Sequence, residues 1–288
     1  MNDAAAPSPA RSSSTTRVLT ALVALPLVVA ATWAGGYAFA AFVVVVCVLA
    51  QAEFYALCRA AGTNPMTRLG LVAGGLLAAR AIWPPAETLG IAVVVAALCT
   101  VPFRDERSHP VLDLAATAGG IVYPTLLLAM LLPLRLDAAR AFDGDALARG
   151  GEGFWLTMAV MTLVFATDTV AYYTGRAFGK HPLAPKVSPK KTVEGSIGGA
   201  IGAVAAAAAF KASGVLPSVP WGAMLLAALA AGIVSQLGDL AESRLKRAAG
   251  VKDSGHLLPG HGGFLDRFDA MLVAVPLAYV VFALWLGW

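Results

Sequence analysis

The residues YAFAAFVVVVCVLAQAEFYAL, at positions 37–57, form an apolar run long enough to cross a bilayer. A spanning helix needs about 20 mostly apolar residues, because its backbone polar groups must be hydrogen-bonded inside the helix when lipid surrounds it. Similar runs recur along almost the whole chain, which is 58% hydrophobic and only 13% charged. Soluble domains usually carry about 25% charged residues, so we expect lipid to cover much of this surface.

Nine candidate spans predict an all-α, polytopic integral membrane protein with a single membrane domain. They cover residues 17–33, 37–57, 69–83, 88–102, 111–134, 154–177, 196–212, 221–243 and 266–286. The third and fourth spans are short and could form one re-entrant pair. The chain then divides into a disordered cytosolic tail over 1–16, N-terminal transmembrane helices over 17–134, an external loop over 135–153 and a C-terminal transmembrane region over 154–288.

The distribution of basic residues predicts the orientation in the membrane. With nine spans and a cytoplasmic N-terminus, most of the 21 lysines and arginines fall in segments on the cytoplasmic side, as the positive-inside rule requires. This orientation places two polar loops, 168–199 and 236–269, on the cytoplasmic side. The alanine-rich composition and the lack of a targeting peptide favour a multi-pass protein of a bacterial inner membrane.

A polar stripe runs along the end of the eighth predicted span. Gln236, Asp239, Ser243 and Lys246 follow steps of three and four residues, which places them on one helix face. A carboxylate near the end of a membrane helix is costly unless it is paired, solvated or bound to a cation. Asp239 is therefore a candidate metal ligand, and a helix end that emerges into water is an equal alternative.

The loop that follows this span combines basic residues, glycines and carboxylates. In order along the chain these are Arg244, Lys246, Arg247, Lys252, Asp253, His261, Gly262, Gly263, Asp266, Arg267 and Asp269. Glycines before a helix allow backbone N–H groups to approach an anion, and carboxylates three apart point to the same side. Helix capping alone does not explain the combination, which predicts a site for phosphate and Mg²⁺. Binding of anionic lipid head groups is the electrostatic alternative.

The first polar loop carries Lys186, Lys190 and Lys191 around Ser188, and prolines at 182, 185 and 189 prevent a continuous helix there. We expect an extended segment that forms part of a nucleotide pocket, with an ordinary positively charged loop as the alternative. Asp168, at the end of the sixth span, is a candidate polar residue facing Asp239. Its alternative role is a hydrogen bond to a neighbouring helix.

Other function classes find little support in the sequence. The chain lacks the HxxxH and HExxH spacings of zinc hydrolases, the GxSxG of serine hydrolases and the GxxxxGK[ST] of P-loop proteins. A membrane transporter is the alternative from a different class. Transporters place charge near the membrane midplane on broken and often repeated helices, whereas here the charge clusters at one interface without an evident repeat.

Two segments resemble known motifs. Residues 243–269, from Ser243 through the Lys252-Asp253 and Pro259-Gly-His-Gly-Gly elements to Asp269, resemble the signature of the phosphatidate cytidylyltransferase family. Residues 188–195 resemble a second motif of that family, with Val193 where an aromatic residue is frequent. The resemblance extends over roughly 160–288, while Glu53-Phe54-Tyr55 is a weak local similarity in the N-terminal half.

The resemblance implies a reaction in which CTP and phosphatidate give CDP-diacylglycerol and pyrophosphate. It also implies Mg²⁺, with K⁺ as an accompanying ion, an all-helical membrane fold and a homodimer, and it gives no reason to expect a nucleic-acid partner. The nearest alternative is a CTP-dependent polyprenol or phytol kinase, which would transfer the γ-phosphoryl group instead.

The charges and spacing of the catalytic region, taken together with that reaction, suggest a hypothesis for its individual residues. Asp239 and Asp266 would hold the cations, while Lys246 and Arg267 would neutralise charge at the reacting phosphates. The expected substrate-binding residues are Ser188, Lys190, Lys191, Ser243, Arg247, Lys252, His261, Gly262 and Gly263. Supporting carboxylates around the metal ligands and substrate-binding residues would be Asp168, Asp253 and Asp269.

Overall fold

The computed structural model describes residues 14–103 and 109–288, so most of the tail predicted for 1–16 lies outside the described residues. Arg104 and Arg107, two basic residues of the predicted inside segments, also lie outside them. The helices are α1 Ser14–Ala34, α2 Gly36–Ala60, α3 Thr67–Ala79, α4 Pro85–Thr100, α5 Pro110–Gly120, α6 Leu127–Ala129, α7 Leu131–Phe142, α8 Gly151–Phe178, α9 Val193–Ala212, α10 Trp221–Ala248 and α11 Leu265–Leu286. A short hairpin of β1 Pro182–Ala184 and β2 Ser188–Thr192 connects α8 to α9.

The helices confirm an all-α polytopic membrane protein. Within the described ranges, eight segments are long and apolar enough to cross a bilayer, and one of them is the 33-residue segment Pro110–Phe142 that contains α5, α6 and α7. A π-helical turn at Ile121–Leu126 interrupts that segment around Pro124, whose missing N–H cannot continue the α-helical ladder. The third predicted span is α3, which has only 13 residues. At 1.5 Å per residue it extends about 20 Å, less than the hydrocarbon thickness.

Contacts between helix ends show which connections share a side of the bundle. Near the start of α1, the Thr20 hydroxyl donates to the carbonyl of Pro259, in the α10–α11 loop, at 2.9 Å. At the other end, the N–H of Gly150 before α8 donates to Trp33 O at 2.8 Å. The helices therefore alternate in direction, and the start of α1 lies on the same side as the α10–α11 loop.

Helices α3 and α4 form an antiparallel pair that leaves and returns to this same side. The Thr100 hydroxyl, at the end of α4, lies 3.3 Å from Met66 Sδ just before α3. In the connection to α3, the N–H of Asn64 donates to Asp113 at the start of α5, at 2.6 Å. Because this pair starts and ends on the same side, it leaves the direction of the later helices unchanged.

Small residues allow α8 and α9 to approach closely at the centre of the C-terminal half. A Cβ at Gly199 would lie 2.9 Å from Thr167 O and 3.0 Å from the Ala171 methyl group. A Cβ at Gly202 would lie 2.6 Å from a methyl group of Val170. Membrane helices pack through such small residues because lipid supplies little hydrophobic drive for their association. The close packing fixes the position of the hairpin that joins the two helices.

The region predicted as an external loop over 135–153 begins in helix, because α7 continues to Phe142. Arg135, predicted to lie in this loop, is fully buried. Its guanidinium donates to the carbonyls of Thr32 at 3.2 Å, Ala148 at 2.7 Å and Gly150 at 3.3 Å. These carbonyls replace water as partners of Nε and Nη2, which offsets part of the cost of burial, whereas the buried Nη1 has no hydrogen-bond partner among the described residues.

Candidate active site

The two polar loops meet at the end of the bundle where α8 and α10 finish. Lys191 Nζ, on β2, lies 2.6 Å from Asp239 Oδ2 on α10, and both side chains are partly exposed. The other oxygen of Asp239 accepts a hydrogen bond from Ser243 at 3.2 Å, one helical turn further along α10. The prolines of the hairpin favour the extended β2 segment that carries Lys191 to this position. The structure thus joins residues that are 48 positions apart in the sequence.

A second lysine–carboxylate pair lies deeper, between α10 and α11. Lys246 Nζ lies 2.6 Å from Asp266 Oδ1. It also lies 3.4 Å from Glu242 Oε1, and this second contact is an ion pair without hydrogen-bond geometry. Glu242 is fully buried, with Lys246 as an ion-pair partner and the carboxyl group of Asp269 beside it. A single ammonium group therefore serves two carboxylates in a region of low dielectric, where an unpaired charge is costly.

Asp266 also organises the loop before α11. Its second oxygen, Oδ2, accepts hydrogen bonds from the backbone N–H groups of Ser254 and Gly263, each at 2.9 Å. A carboxylate in the first turn of a helix is favoured by the macrodipole, and here it also closes the loop onto the helix. The N–H of Gly263, predicted to donate to a phosphate, is thus directed at Asp266.

The glycine pair has a steric explanation. Gly262 has a φ of +82°, in the left-handed region that residues with a Cβ seldom adopt. A Cβ at Gly263 would contact the carboxylate of Glu53 and the hydroxyl of Ser254. The segment turns tightly here, with Leu258 N donating to Gly262 O at 3.0 Å and His261 N donating to Leu258 O at 2.9 Å. The loop geometry therefore requires both glycines.

Carboxylates from three helices converge beside these lysines. Asp168 on α8 is close enough to Asp239 and Asp269 for their charges to repel, and Lys191 and Arg267 provide opposing charge. Asp269, on the inner side of α11, lies against Glu242. Adjacent carboxylates are stabilised when they share a proton or a cation. The cluster therefore combines carboxylate oxygens with the cationic groups of Lys191, Lys246 and Arg267.

The remaining predicted residues lie around this cluster at different depths. Ser188 and His261 are half-buried, whereas Lys190, Arg247, Lys252, Asp253 and Arg267 are exposed. Arg247 donates to Val251 O at 2.9 Å, so it also closes the start of the α10–α11 loop. The buried Nδ1 of His261 has no hydrogen-bond partner among the described residues. The exposed cations leave this end of the bundle attractive to a polyanion.

The carboxylates of the cluster are the candidate ligands for the implied Mg²⁺. Among the described residues, no three His, Cys, Asp or Glu side chains are arranged as a complete metal site. Mg²⁺ does not require one, because it commonly binds one or two carboxylates together with waters and substrate phosphates. Asp239 is partly exposed, and a cation there would compete with Lys191, which pairs with one of its oxygens, and with Ser243, which donates to the other. At Asp266, Lys246 already occupies one oxygen and two N–H groups occupy the other, so a cation there would compete with Lys246.

Sequence reasoning missed three residues that belong to the site: Glu242, Ser254 and Glu53. Glu242 had a usable signal, since it lies three residues after Asp239 and four before Lys246. Ser254 had none beyond its place in the motif. Glu53 had a signal in being an acidic residue within an apolar span, which is rare unless it is functional or paired. In the structure it contacts the α10–α11 loop.

Lysines, carboxylates and a glycine-rich turn meet at one end of the bundle of a polytopic membrane protein. These features define the class: a membrane-embedded protein with a charged site where its helices end. The family model described as cytidylyltransferase family matches residues 15–285. The chain therefore belongs to the cytidylyltransferase family, which confirms the resemblance inferred from the motifs.

Curated relatives agree with this assignment. The chain is 36% identical over 282 residues to the phosphatidate cytidylyltransferase of Brucella abortus (strain 2308), covering 92% of each chain. It is 32% identical over 289 residues to the Synechocystis enzyme of that name, covering 92% of this chain and 95% of the relative. With the Bacillus subtilis protein of that name it shares 47% identity over 122 residues, 42% of this chain and 45% of the relative.

Proposed function

We propose that this protein transfers the cytidylyl group of CTP to phosphatidate, which gives CDP-diacylglycerol and pyrophosphate for phospholipid synthesis. The observation that carries the proposal is the meeting of the two motif-like segments at one charged site, with Lys191 on Asp239 and Lys246 on Asp266. Full-length relatives bear the name of this activity. One substrate is held in the bilayer and the other is soluble, so a site at the end of the bundle is where both can react.

The reaction requires that the negative charges of both substrates be neutralised and that the substrates be aligned. It requires no covalent intermediate with the protein. A phosphate oxygen of phosphatidate forms a bond to the α-phosphorus of CTP, and the bond from that phosphorus to the bridging α–β oxygen breaks, so pyrophosphate leaves with the electron pair. Such transfers depend chiefly on alignment and electrostatics. Lys191 and Lys246 are placed to exchange their carboxylate partners for phosphate oxygens, while the exposed Lys190, Lys252 and Arg267 attract the polyanion.

We further propose Mg²⁺ as the metal, with Asp239 and Asp266 as its carboxylate ligands and Asp168, Asp253 and Asp269 in support. When bound, the ion would neutralise developing charge on the phosphates. Since Lys246 occupies Asp266, the proposal requires this lysine to move towards a phosphate when the metal binds. K⁺ is proposed as an accompanying ion, which replacement of K⁺ by Na⁺ in the assay would test.

For location we propose the cytoplasmic (inner) membrane, with the site facing the cytoplasm. The support is that the hairpin and the α10–α11 loop, which carry most of the clustered lysines and arginines, lie on one side of the bundle. A homodimer is also proposed from the family resemblance, and chemical cross-linking in native membranes would test it.

The deciding experiment is turnover of CTP by the purified protein with phosphatidate in detergent micelles, with Mg²⁺ or with EDTA. CTP labelled in cytidine should put its label into lipid, with one pyrophosphate released per lipid product, and EDTA should stop the reaction. Transfer of the γ-label alone would identify a lipid kinase instead. No lipid labelling from either form of CTP, by protein that remains folded, would contradict the proposal.

A further inference from the structure

A buried carboxylate from the N-terminal half reaches the α10–α11 loop. Glu53, on α2, is only 5% exposed. Its Oε2 accepts hydrogen bonds from the Ser254 hydroxyl at 3.1 Å and from Leu265 N at 2.8 Å, and its Oε1 accepts one from Phe264 N at 3.1 Å. All three donors lie more than 200 residues further along the chain.

These bonds satisfy the start of α11. The first N–H groups of a helix have no partner inside it, and a side chain at the N-cap usually accepts from them. The N-cap residue of α11 is Phe264, whose side chain has no hydrogen-bond acceptor. Glu53 therefore supplies the cap from another helix, and its negative charge suits the positive end of the helix dipole.

The same carboxylate is connected to the proposed reaction centre through one residue. Ser254 donates its hydroxyl to Glu53 and its backbone N–H to Asp266 Oδ2, at 2.9 Å. Asp266 in turn holds Lys246 at 2.6 Å. A displacement of Glu53 would thus move the loop backbone that fixes the orientation of Asp266.

The fit around the carboxylate is tight on both sides. A Cβ added at Gly263 would lie 2.6 Å from Glu53 Cδ, and one at Gly255 would lie 2.7 Å from the same atom. Two backbone segments of the loop are therefore packed directly against this group. A buried charge in a membrane helix is expensive, and three hydrogen bonds offset that cost only if the loop stays in place.

We propose that Glu53 is a positioning residue of the transfer site, which holds the 254–266 segment so that Asp266 and Lys246 face the substrates. This inference rests on the proposed cytidylyl transfer. It extends the site to α2, in the half of the chain where the resemblance to the family motifs was weak.

The test compares Glu53→Gln and Glu53→Asp with a matched control, Glu152→Gln. Glu152 also links distant segments, because it accepts from the N–H and the hydroxyl of Ser218 at 2.9 and 2.6 Å, but it lies at the opposite end of the bundle. In Glu53→Gln an amide NH₂ would face donors of the loop. We expect its kcat/KM for CTP to fall roughly 10- to 100-fold, with a raised KM and a higher Mg²⁺ requirement, as for residues that support catalytic ligands. Glu53→Asp should recover part of the loss, and Glu152→Gln should keep wild-type values.

A second readout does not depend on activity. Hydrogen–deuterium exchange of the 254–266 segment should be faster in Glu53→Gln than in the wild type, and unchanged in Glu152→Gln. For Glu53→Gln, unchanged exchange or unchanged kcat/KM would overturn the positioning role. A normal KM with a kcat that falls only in proportion to the unfolded fraction would overturn it as well. If the wild type itself transfers no cytidylyl group, the proposed function fails, whereas the exchange data still report on whether Glu53 holds the loop.

Discussion

Single residues at the site act through pairs. Lys246 lies between Asp266 and the buried Glu242, and Lys191 holds Asp239 at the surface. In the buried Lys246–Asp266 pair, removing one member leaves a charge without its partner, which typically costs about 3–5 kcal/mol. The pairs therefore contribute to folding as well as to the proposed chemistry, and substitutions must be judged on both.

Asp266→Asn should reduce cytidylyl transfer at least about 100-fold, the scale on which removal of one well-placed electrostatic group acts. The amide keeps the size of the side chain but loses the charge that pairs with Lys246, and its NH₂ would face Lys246 or the N–H groups of Ser254 and Gly263. Initial rates with Mg²⁺, normalised to membrane-inserted protein, measure the effect. Arg80→Ala, in the α3–α4 turn, is the control and should be nearly neutral; near-normal turnover by Asp266→Asn would contradict its role.

Gly263→Ala should destabilise the protein and lower turnover, because the new methyl group would meet the carboxylate of Glu53 and the hydroxyl of Ser254. Overpacking of this kind typically costs about 1–3 kcal/mol. The control is Gly119→Ala on α5, where the nearest atoms lie 3.6 Å away in ordinary contact with Phe54. Thermal unfolding in detergent compares the two variants, and equal melting temperatures would argue against the tight fit around Gly263.

Among the secondary-structure elements, the hairpin between α8 and α9 is the one that connects the two polar loops. Thr192 ends β2 and caps α9 by accepting from Gly195 N at 3.1 Å. Glu194 accepts from the backbone N–H groups of Lys180 and His181, at 3.0 and 3.2 Å, which closes the hairpin onto the helix start. The hairpin is therefore anchored at its base, and its position against α10 is set by the close α8–α9 packing.

Lys191→Met should raise the KM for CTP several-fold, because it removes the cation that β2 presents to Asp239 and, in the proposed reaction, to the nucleotide phosphates. Both partners are partly exposed, so we expect little change in stability, since surface pairs contribute about 0–1 kcal/mol. Lys186→Met, in the turn of the same hairpin, is the matched control and should keep the wild-type KM. Steady-state kinetics at fixed phosphatidate provide the measurement, and equal KM values for the two variants would remove Lys191 from the nucleotide side.

For the molecule as a whole, alternation of helix direction places the hairpin and the α10–α11 loop on one side and the α9–α10 connection on the other. The contacts Thr20–Pro259 and Gly150–Trp33 define these two sides. The structure shows which helix ends lie on the same side of the bundle. The distribution of lysine and arginine supports the proposal that the charged side is cytoplasmic.

Cysteine labelling in intact cells tests that orientation. After replacement of Cys47, Cys58 and Cys99, Ser213→Cys at the exposed end of α9 should react with a membrane-impermeant maleimide. Lys186→Cys in the hairpin should react only after permeabilisation. The reverse pattern would place the charged site outside the cytoplasm, and labelling of both positions in intact cells would contradict the alternation of the helices.

The sequence by itself determined the membrane class, the positions of most helices and the side of the bundle that carries the charge. These features are local, because helix length, apolar composition and charge placement can each be read from a short window. It also located Asp239, Lys246 and Asp266, whose spacing and motif lie within one stretch of the chain.

Only the tertiary structure decided which lysine pairs with which carboxylate, and that Arg135 is buried rather than in a loop. It likewise assigned Glu53 to the start of α11, across more than 200 residues. These outcomes depend on helices that are distant in sequence and packed together, where a buried donor or acceptor must find a partner whatever its position in the chain. A local pattern records that such a residue is charged, and packing selects its partner.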